Sequence, residues 1–204
     1  MHYVDLSWPL TSQTPIDPED SAPQIKPIAQ VEADGFTMHE ITVGTHIGTH
    51  VDAPIHMLAA GKTLDQFPVE RFIGRGRYID VTDGVFSIEK LRLAKVAAGD
   101  IVLFHTGMSA KNTAPEYFRD YPAIPEGVAE YLVEQNVKMV GVDMYGPDHA
   151  PYAIHRILLG GDVLIAENLA NLDKLAGKQF TVYALPLNVA VDGAPARIIA
   201  AVEE

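Results

Sequence analysis

Sixteen glycines and fourteen prolines interrupt the 204 residues. They fall roughly every ten to twenty positions, so no single element runs long. Between them, β-rich runs alternate with a few helical patterns. Runs at 3–6, 24–31, 36–43 and 76–81 carry Val, Ile, Thr, Tyr and Phe and predict strands. A polar, proline-bearing loop, 12–23, separates the first two. Helical periodicity appears at 87–95, where Ile88, Leu91 and Leu93 form an apolar face behind a Ser87 N-cap. It returns at 125–135, with Pro125 in the first turn and Val128, Tyr131 and Leu132 on one face. A third helix is predicted over 150–159, stopped by Gly160-Gly161. Strands follow at 100–104, 138–142, 162–166, 180–185 and 196–202. The pattern predicts one α/β domain spanning 1–204, strand-rich in its N-terminal half, with helices mainly in the second half.

Composition narrows the function. At 48% hydrophobic and 21% charged residues, the chain can bury a real core and is not a disordered one. Fifteen Lys+Arg against 27 Asp+Glu give a formal charge of −12. That balance opposes binding to phosphate backbones and anionic membranes, which depends on clustered cations. Neither nucleic acid nor a membrane is an expected partner. The start, MHYVDLSWPL, has no basic and apolar leader pattern, and apolar stretches such as 163–166 are only strand-length. A cytoplasmic location is expected. With no cysteine, disulfides, thiolate zinc sites, thiol nucleophiles and iron–sulfur clusters are excluded. Any strong metal site must use His, Asp and Glu.

Four of the eight histidines, His39, His46, His50 and His56, fall within residues 39–56. Gly48, the β-branched Thr49 and Val51, and Pro54 oppose a helix there. In an extended chain, even spacing projects His46, His50 and Asp52 from one side. Two imidazoles and a carboxylate make a plausible N,N,O metal corner. His56, beyond the turn at Ala53-Pro54, lies near the group without being one of its ligands. His39 lacks such partners and reads as surface or core. The helical metalloprotease motif fails, because Ile47 occupies the position of its glutamate. A second constellation follows in His155 and in Glu167, which interrupts an otherwise apolar run. A buried carboxylate there needs a cation or hydrogen-bond donors to offset several kcal/mol of desolvation. His149 could substitute for His155, and spacing does not choose between them.

The run from His46 to His56 resembles the H-x-G-T-H-x-D-x-P-x-H signature of metal-dependent hydrolases called the cyclase family, best known through bacterial kynurenine formamidases (arylformamidases). Every fixed position is present. Asp5-Leu6-Ser7 with Pro9-Leu10 resembles the family's first strand, and Leu185-Pro186-Leu187, Asp192-Gly193 and Pro195 its closing strands. His155 to Leu159 and Glu167-Asn168-Leu169 resemble its later His and Glu segments. The resemblance implies a compact β/β/α, swivelling-domain-like fold and a homodimer or homotetramer. It also implies one or two divalent ions. His46, His50 and Asp52 would hold one and His155 the second, with Asp52 and Glu167 shared and His56 as general acid/base.

The implied chemistry is hydrolysis of a non-peptide C–N bond by metal-bound hydroxide, as in tryptophan catabolism. Such a site acidifies water and polarises a carbonyl, so no Ser, Cys or Lys nucleophile is required. Thr49 alternates away from the ligand face. Zinc, manganese and iron all suit these ligands. One departure concerns the substrate. Kynurenine formamidases carry a Trp in a Pro-Val-Trp-Pro-like turn that contacts the aromatic substrate, whereas this chain reads Thr14-Pro15-Ile16-Asp17-Pro18, with Ile16 as the replacement. Cyclic amides such as isatin, and lactones, therefore stay open as substrates beside aryl formamides. Tyr145 and Phe104 are candidates for pocket or core. A non-catalytic structural metal site is the rival reading from another class.

Overall fold

The computed structural model describes residues 1–203. Its strands are β1 (His2–Asp5), β2 (Gln24–Ala29), β3 (Met38–Thr42), β4 (His50–Asp52), β5 (Ile73–Asp80), β6 (Ile101–His105), β7 (Met139–Val142), β8 (Leu164–Glu167), β9 (Phe180–Pro186) and β10 (Gly193–Val202). Its α-helices are α1 (Val31–Asp34), α2 (Ile88–Leu93), α3 (Glu126–Glu134) and α4 (Ala153–Gly160). Strands β5 to β8 run parallel in sequence order, with α2, α3 and α4 in the crossovers. This is the α/β half that the alternation of periods predicts.

The remaining pairings correct the expected layered β/β/α arrangement. Strand β4 joins β8, β9 joins β5, and β10 pairs with both β4 and β9, all antiparallel. Seven strands thus close into a barrel, with β1 added along the far end of β10. The device is the length of β10. Gly193–Pro195 pair with β4 while Ala196–Val202 pair with β9. Closure satisfies backbone groups that an open sheet would leave at its edges.

Both faces of the barrel wall are buried, which explains why β6, β7 and β8 read as nearly continuous apolar runs. Successive side chains alternate between two cores. Ile101, Leu103, Met139, Leu164 and Ala166 pack inward with Phe180, Val182, Ile198 and Ala200 from the antiparallel strands. Val102, Phe104, Val140, Val142 and Ile165 face outward against Leu91, Leu132 and Leu158 of the helices. Phe104 is therefore core, packed at 5.2 Å between ring centroids on Phe86. The Ser87 hydroxyl accepts the Lys90 N–H, as predicted for the cap of α2.

Two elements differ from the sequence reading. Helix α4 begins at Ala153 rather than 150, because Tyr152 takes φ +63°, outside the right-handed helical region. Strands β2 and β3 pair only with each other, so His39 is exposed, as are Ile28, Met38 and Ile41. No helix among the described residues is long and apolar enough to cross a membrane.

Candidate metal centre

The antiparallel register of β4 on β8 sets His50 directly opposite Glu167, and that of β10 on β4 sets Gly193 opposite Asp52. His50 and Asp52, two residues apart in one strand, share a face as the even spacing predicts. His46 arrives differently. Residues 45–49 are not extended but form turns and bends, with Gly48 at φ +64°, and this turn folds His46 back beside the strand. Its ring centroid lies 5.1 Å from that of His50. The Thr49 side chain does alternate away, accepting the Trp8 N–H and donating to the Asn168 carbonyl.

The side chains meet around two carboxylates. His46 Nδ1 lies 2.8 Å from Asp52 Oδ1, and His50 Nε2 lies 3.2 Å from the same oxygen and 3.4 Å from Glu167 Oε2. His155 Nε2 lies 3.1 Å from Glu167 Oε1. The structure thus brings together all five expected ligands. His149 stands apart, stacked on Tyr121 with its Nε2 2.9 Å from the Tyr121 carbonyl oxygen. The grouping of ligand atoms differs from the expected partition. His50, Asp52 and Glu167 form one set with ligand atoms within 4.8 Å of one another, and His46, Asp52 and His56 form another. Asp52 belongs to both, while His155 reaches the first through Glu167.

Each of the three candidate histidine ligands is fixed through its other ring nitrogen. His46 Nε2 meets Asp192 Oδ2 at 2.8 Å, His50 Nδ1 meets the Gly48 carbonyl at 2.7 Å, and His155 Nδ1 meets Asp148 Oδ1 at 2.5 Å. This is the outer-shell pattern that orients metal-ligating imidazoles. Asp148 is buried and also accepts the Ile154 N–H, tying His155 to the start of α4. Neither Asp148 nor Asp192 is legible as a site residue in the sequence, because only the fold brings them to their histidines.

A divalent cation fits these residues. His50 Nε2 and Asp52 Oδ2 are fully buried and have no hydrogen-bond partner. An orphaned buried acceptor costs roughly 1–3 kcal/mol, and two of them point to a missing cationic partner. Charge tells the same story. Burial alone would lower the His50 pKa, yet Asp52 and Glu167 hold it well above its ordinary value. Burial likewise opposes protonation of His155, but Asp148 and Glu167 push it up to about 10. The Asp52 carboxyl is held well below the usual range despite burial, because His50 and His46 stabilise its charge. The carboxylates demand positive charge, and without a metal ion the imidazoles supply it as protons.

His56 differs from the other three. It closes the short 3-10 helix Pro54–His56, its Nδ1 lies 3.6 Å from Asp192 Oδ2, and its ring centroid is 4.0 Å from that of His46. No hydrogen bond fixes its ring. Burial lowers its pKa, which keeps it neutral at pH 7.

A cleft of about 620 Å³ opens onto the cluster. His46, His56, His155 and Glu167 line it, together with Phe118, Tyr121 and Tyr145. Tyr145 is thus a pocket residue, whereas Phe104 is not. Ile16 is not among the lining residues. Its neighbour Asp17 is, with Pro18, Glu19 and Asp20, so the loop offers carboxylates where the expected contact was apolar.

Comparison with known proteins agrees with this geometry. The family model for cyclases matches residues 4–149. The chain belongs to the cyclase family. A cyclase-family relative, kynurenine formamidase of Bacillus thuringiensis, is 29% identical over 202 residues, covering 97% of this chain and 96% of its own. Isatin hydrolase A from Labrenzia aggregata, solved with benzyl benzoate, superposes with a TM-score of 0.89 at 26% identity over 100% of this chain and 94% of that one. A potential metal-dependent hydrolase with cyclase activity gives a TM-score of 0.82 at 26% identity, covering 98% and 96%.

One glycine in this cyclase carries a direct prediction. A Cβ on Gly193 would sit 2.6 Å from His46 Cε1, so nothing larger than glycine leaves His46 in place. Gly193→Ala is expected to weaken metal binding about 10–100-fold, as loss of ligand orientation does elsewhere. Competition against a chelator measures it, and unchanged affinity would show that His46 is not a ligand.

Proposed function

We propose that this chain is a metal-dependent hydrolase of non-peptide C–N bonds, opening aryl formamides or cyclic amides. The observation that carries the reading is the contrast among four histidines on one cleft. Three are clamped by outer acceptors, and the fourth, His56, is unclamped and neutral. A purely structural metal site has no use for that fourth histidine or for an open cleft.

His46, His50, Asp52, His155 and Glu167 would hold one or two divalent ions, zinc or manganese by their N,O ligand set. When bound, such ions supply Lewis acidity and lower the pKa of water. His56 takes the proton released from the attacking water and returns it to the departing amine nitrogen. Its lowered pKa suits the first role, and its lack of a fixed hydrogen bond leaves the ring free to serve both. Phe118, Tyr121 and Tyr145 hold the aryl part of the substrate. The closeness of the fold to isatin hydrolase A supports a ring-opening variant of the same chemistry, with the amine retained in the product. The implied homodimer or homotetramer belongs to this reading, since the β2–β3 hairpin exposes Ile28, Met38 and Ile41.

A substrate series tests the proposal. Zinc- and manganese-loaded protein should hydrolyse N-formylkynurenine or isatin faster than a simple lactone. Preference for the lactone would shift the assignment to an ester-type ring opening, and inertness towards all three would overturn it.

A further inference from the structure

We propose that Arg119 is a specificity-determining residue that receives a carboxylate carried by the substrate at a distance from the bond that is cleaved. The proposal rests on the hydrolase reading above and narrows its substrate class to aryl amides bearing a side-chain carboxylate.

Arg119 follows the short 3-10 helix Pro115–Phe118 and lines the cleft. It is the only Lys or Arg among the described lining residues. Five carboxylates, those of Asp17, Glu19, Asp20, Asp148 and Glu167, line the same cleft, yet the Arg119 guanidinium makes no ion pair or hydrogen bond among the described residues. Other arginines are engaged. Arg77 pairs with Asp100 at 2.6 Å, Arg197 with Asp5 at 2.7 Å, and Arg156 donates to the Pro151 carbonyl at 2.8 Å. In a chain of net charge −12, a free guanidinium facing a cleft is not accounted for by internal pairing.

Its surroundings say what it can bind. Phe118, the preceding residue, packs edge-on against Tyr145 with centroids 5.1 Å apart, and Tyr121 lies 5.9 Å from Tyr145. These rings offer an aryl group a wall within the cleft that Arg119 also lines. The guanidinium fork matches a carboxylate bidentately, a geometry lysine cannot reproduce. The acidic Asp17–Asp20 stretch repels a negative group from the rest of the mouth, so the position of an anionic tail is set by Arg119.

The test compares formanilide with a formanilide carrying a propionate side chain, using metal-loaded protein. The wild type should prefer the carboxylated substrate by about tenfold in kcat/KM, mostly through KM. Arg119→Gln should bring the ratio near unity, Arg119→Lys should keep part of it, and added salt should shrink it in the wild type. A ratio that survives Arg119→Gln, or is already near unity in the wild type, would overturn the inference. Calorimetric binding of 3-phenylpropionate against 3-phenylpropanamide decides the same question without turnover. Tighter binding of the carboxylate in the wild type alone supports Arg119 even where formanilides prove inert, a result that would count against the hydrolase reading instead. Equal binding of the two, or none, overturns the role of Arg119.

Discussion

His56→Ala is expected to lower kcat by about 10²–10⁴-fold while metal content stays at the wild-type level. The separation of those readouts is the point. His46, His50 and His155 each have one ring nitrogen engaged by an outer acceptor, as ligands do, whereas His56 is only within 3.6 Å of Asp192. Its proton is therefore the mobile one. Burial, the main cause of its lowered pKa, disfavours the imidazolium, so activity should fall as pH drops through the acid side of 6.5 and the base is lost. The pH–rate profile of the variant should lack that acid limb. His56 also stands in a candidate ligand set with His46 and Asp52, and loss of metal in His56→Ala would place it there instead.

Asp52→Ala should have the larger effect on the protein itself. Asp52 is fully buried, belongs to both candidate ligand sets, and is the near partner of His46 and His50. Removing it leaves His50 buried beside Glu167 alone, and breaking one partner of a buried ionic pair costs roughly 3–5 kcal/mol. Loss of bound metal removes further stabilisation by mass action. We expect depleted metal, turnover below detection, and a melting temperature lower by about 10 °C, given the usual 2–4 °C per kcal/mol for a domain of this size. Metal analysis and thermal melting read both effects. An unaltered metal stoichiometry would remove Asp52 from its bridging position.

Local patterns in the sequence make part of this site legible. His50 and Asp52 follow from the two-residue period of a strand, and the rejection of a helix at Gly48 and Pro54 holds. Glu167 stands out because an acid ends an apolar run, and it lies opposite His50. The same period misplaces His46, which reaches the cluster through a turn rather than along a strand. What local pattern does not carry depends on distant pairing. Asp192 reaches His46 because β10 registers on β4, and Asp148 reaches His155 across the loop before α4. Barrel closure has the same cause, since a single strand, β10, pairs with two neighbours far from it in sequence. The substrate loop shows the limit of reading by motif. Ile16 takes the place of an aromatic contact in the motif, but the backbone presents Asp17 to the cleft.

The absence of cysteine directs any metal to His and carboxylate, and the fold supplies five such side chains around two orphaned buried atoms. The most direct test strips the protein with a chelator, reloads it with zinc or manganese in measured amounts, and follows bound metal and hydrolysis of N-formylkynurenine and isatin in one titration. The account predicts no turnover in the stripped protein and a rate that rises with occupancy and saturates at one or two ions per chain. Full hydrolytic activity in metal-free protein, or stoichiometric metal binding that leaves both substrates untouched, would contradict it.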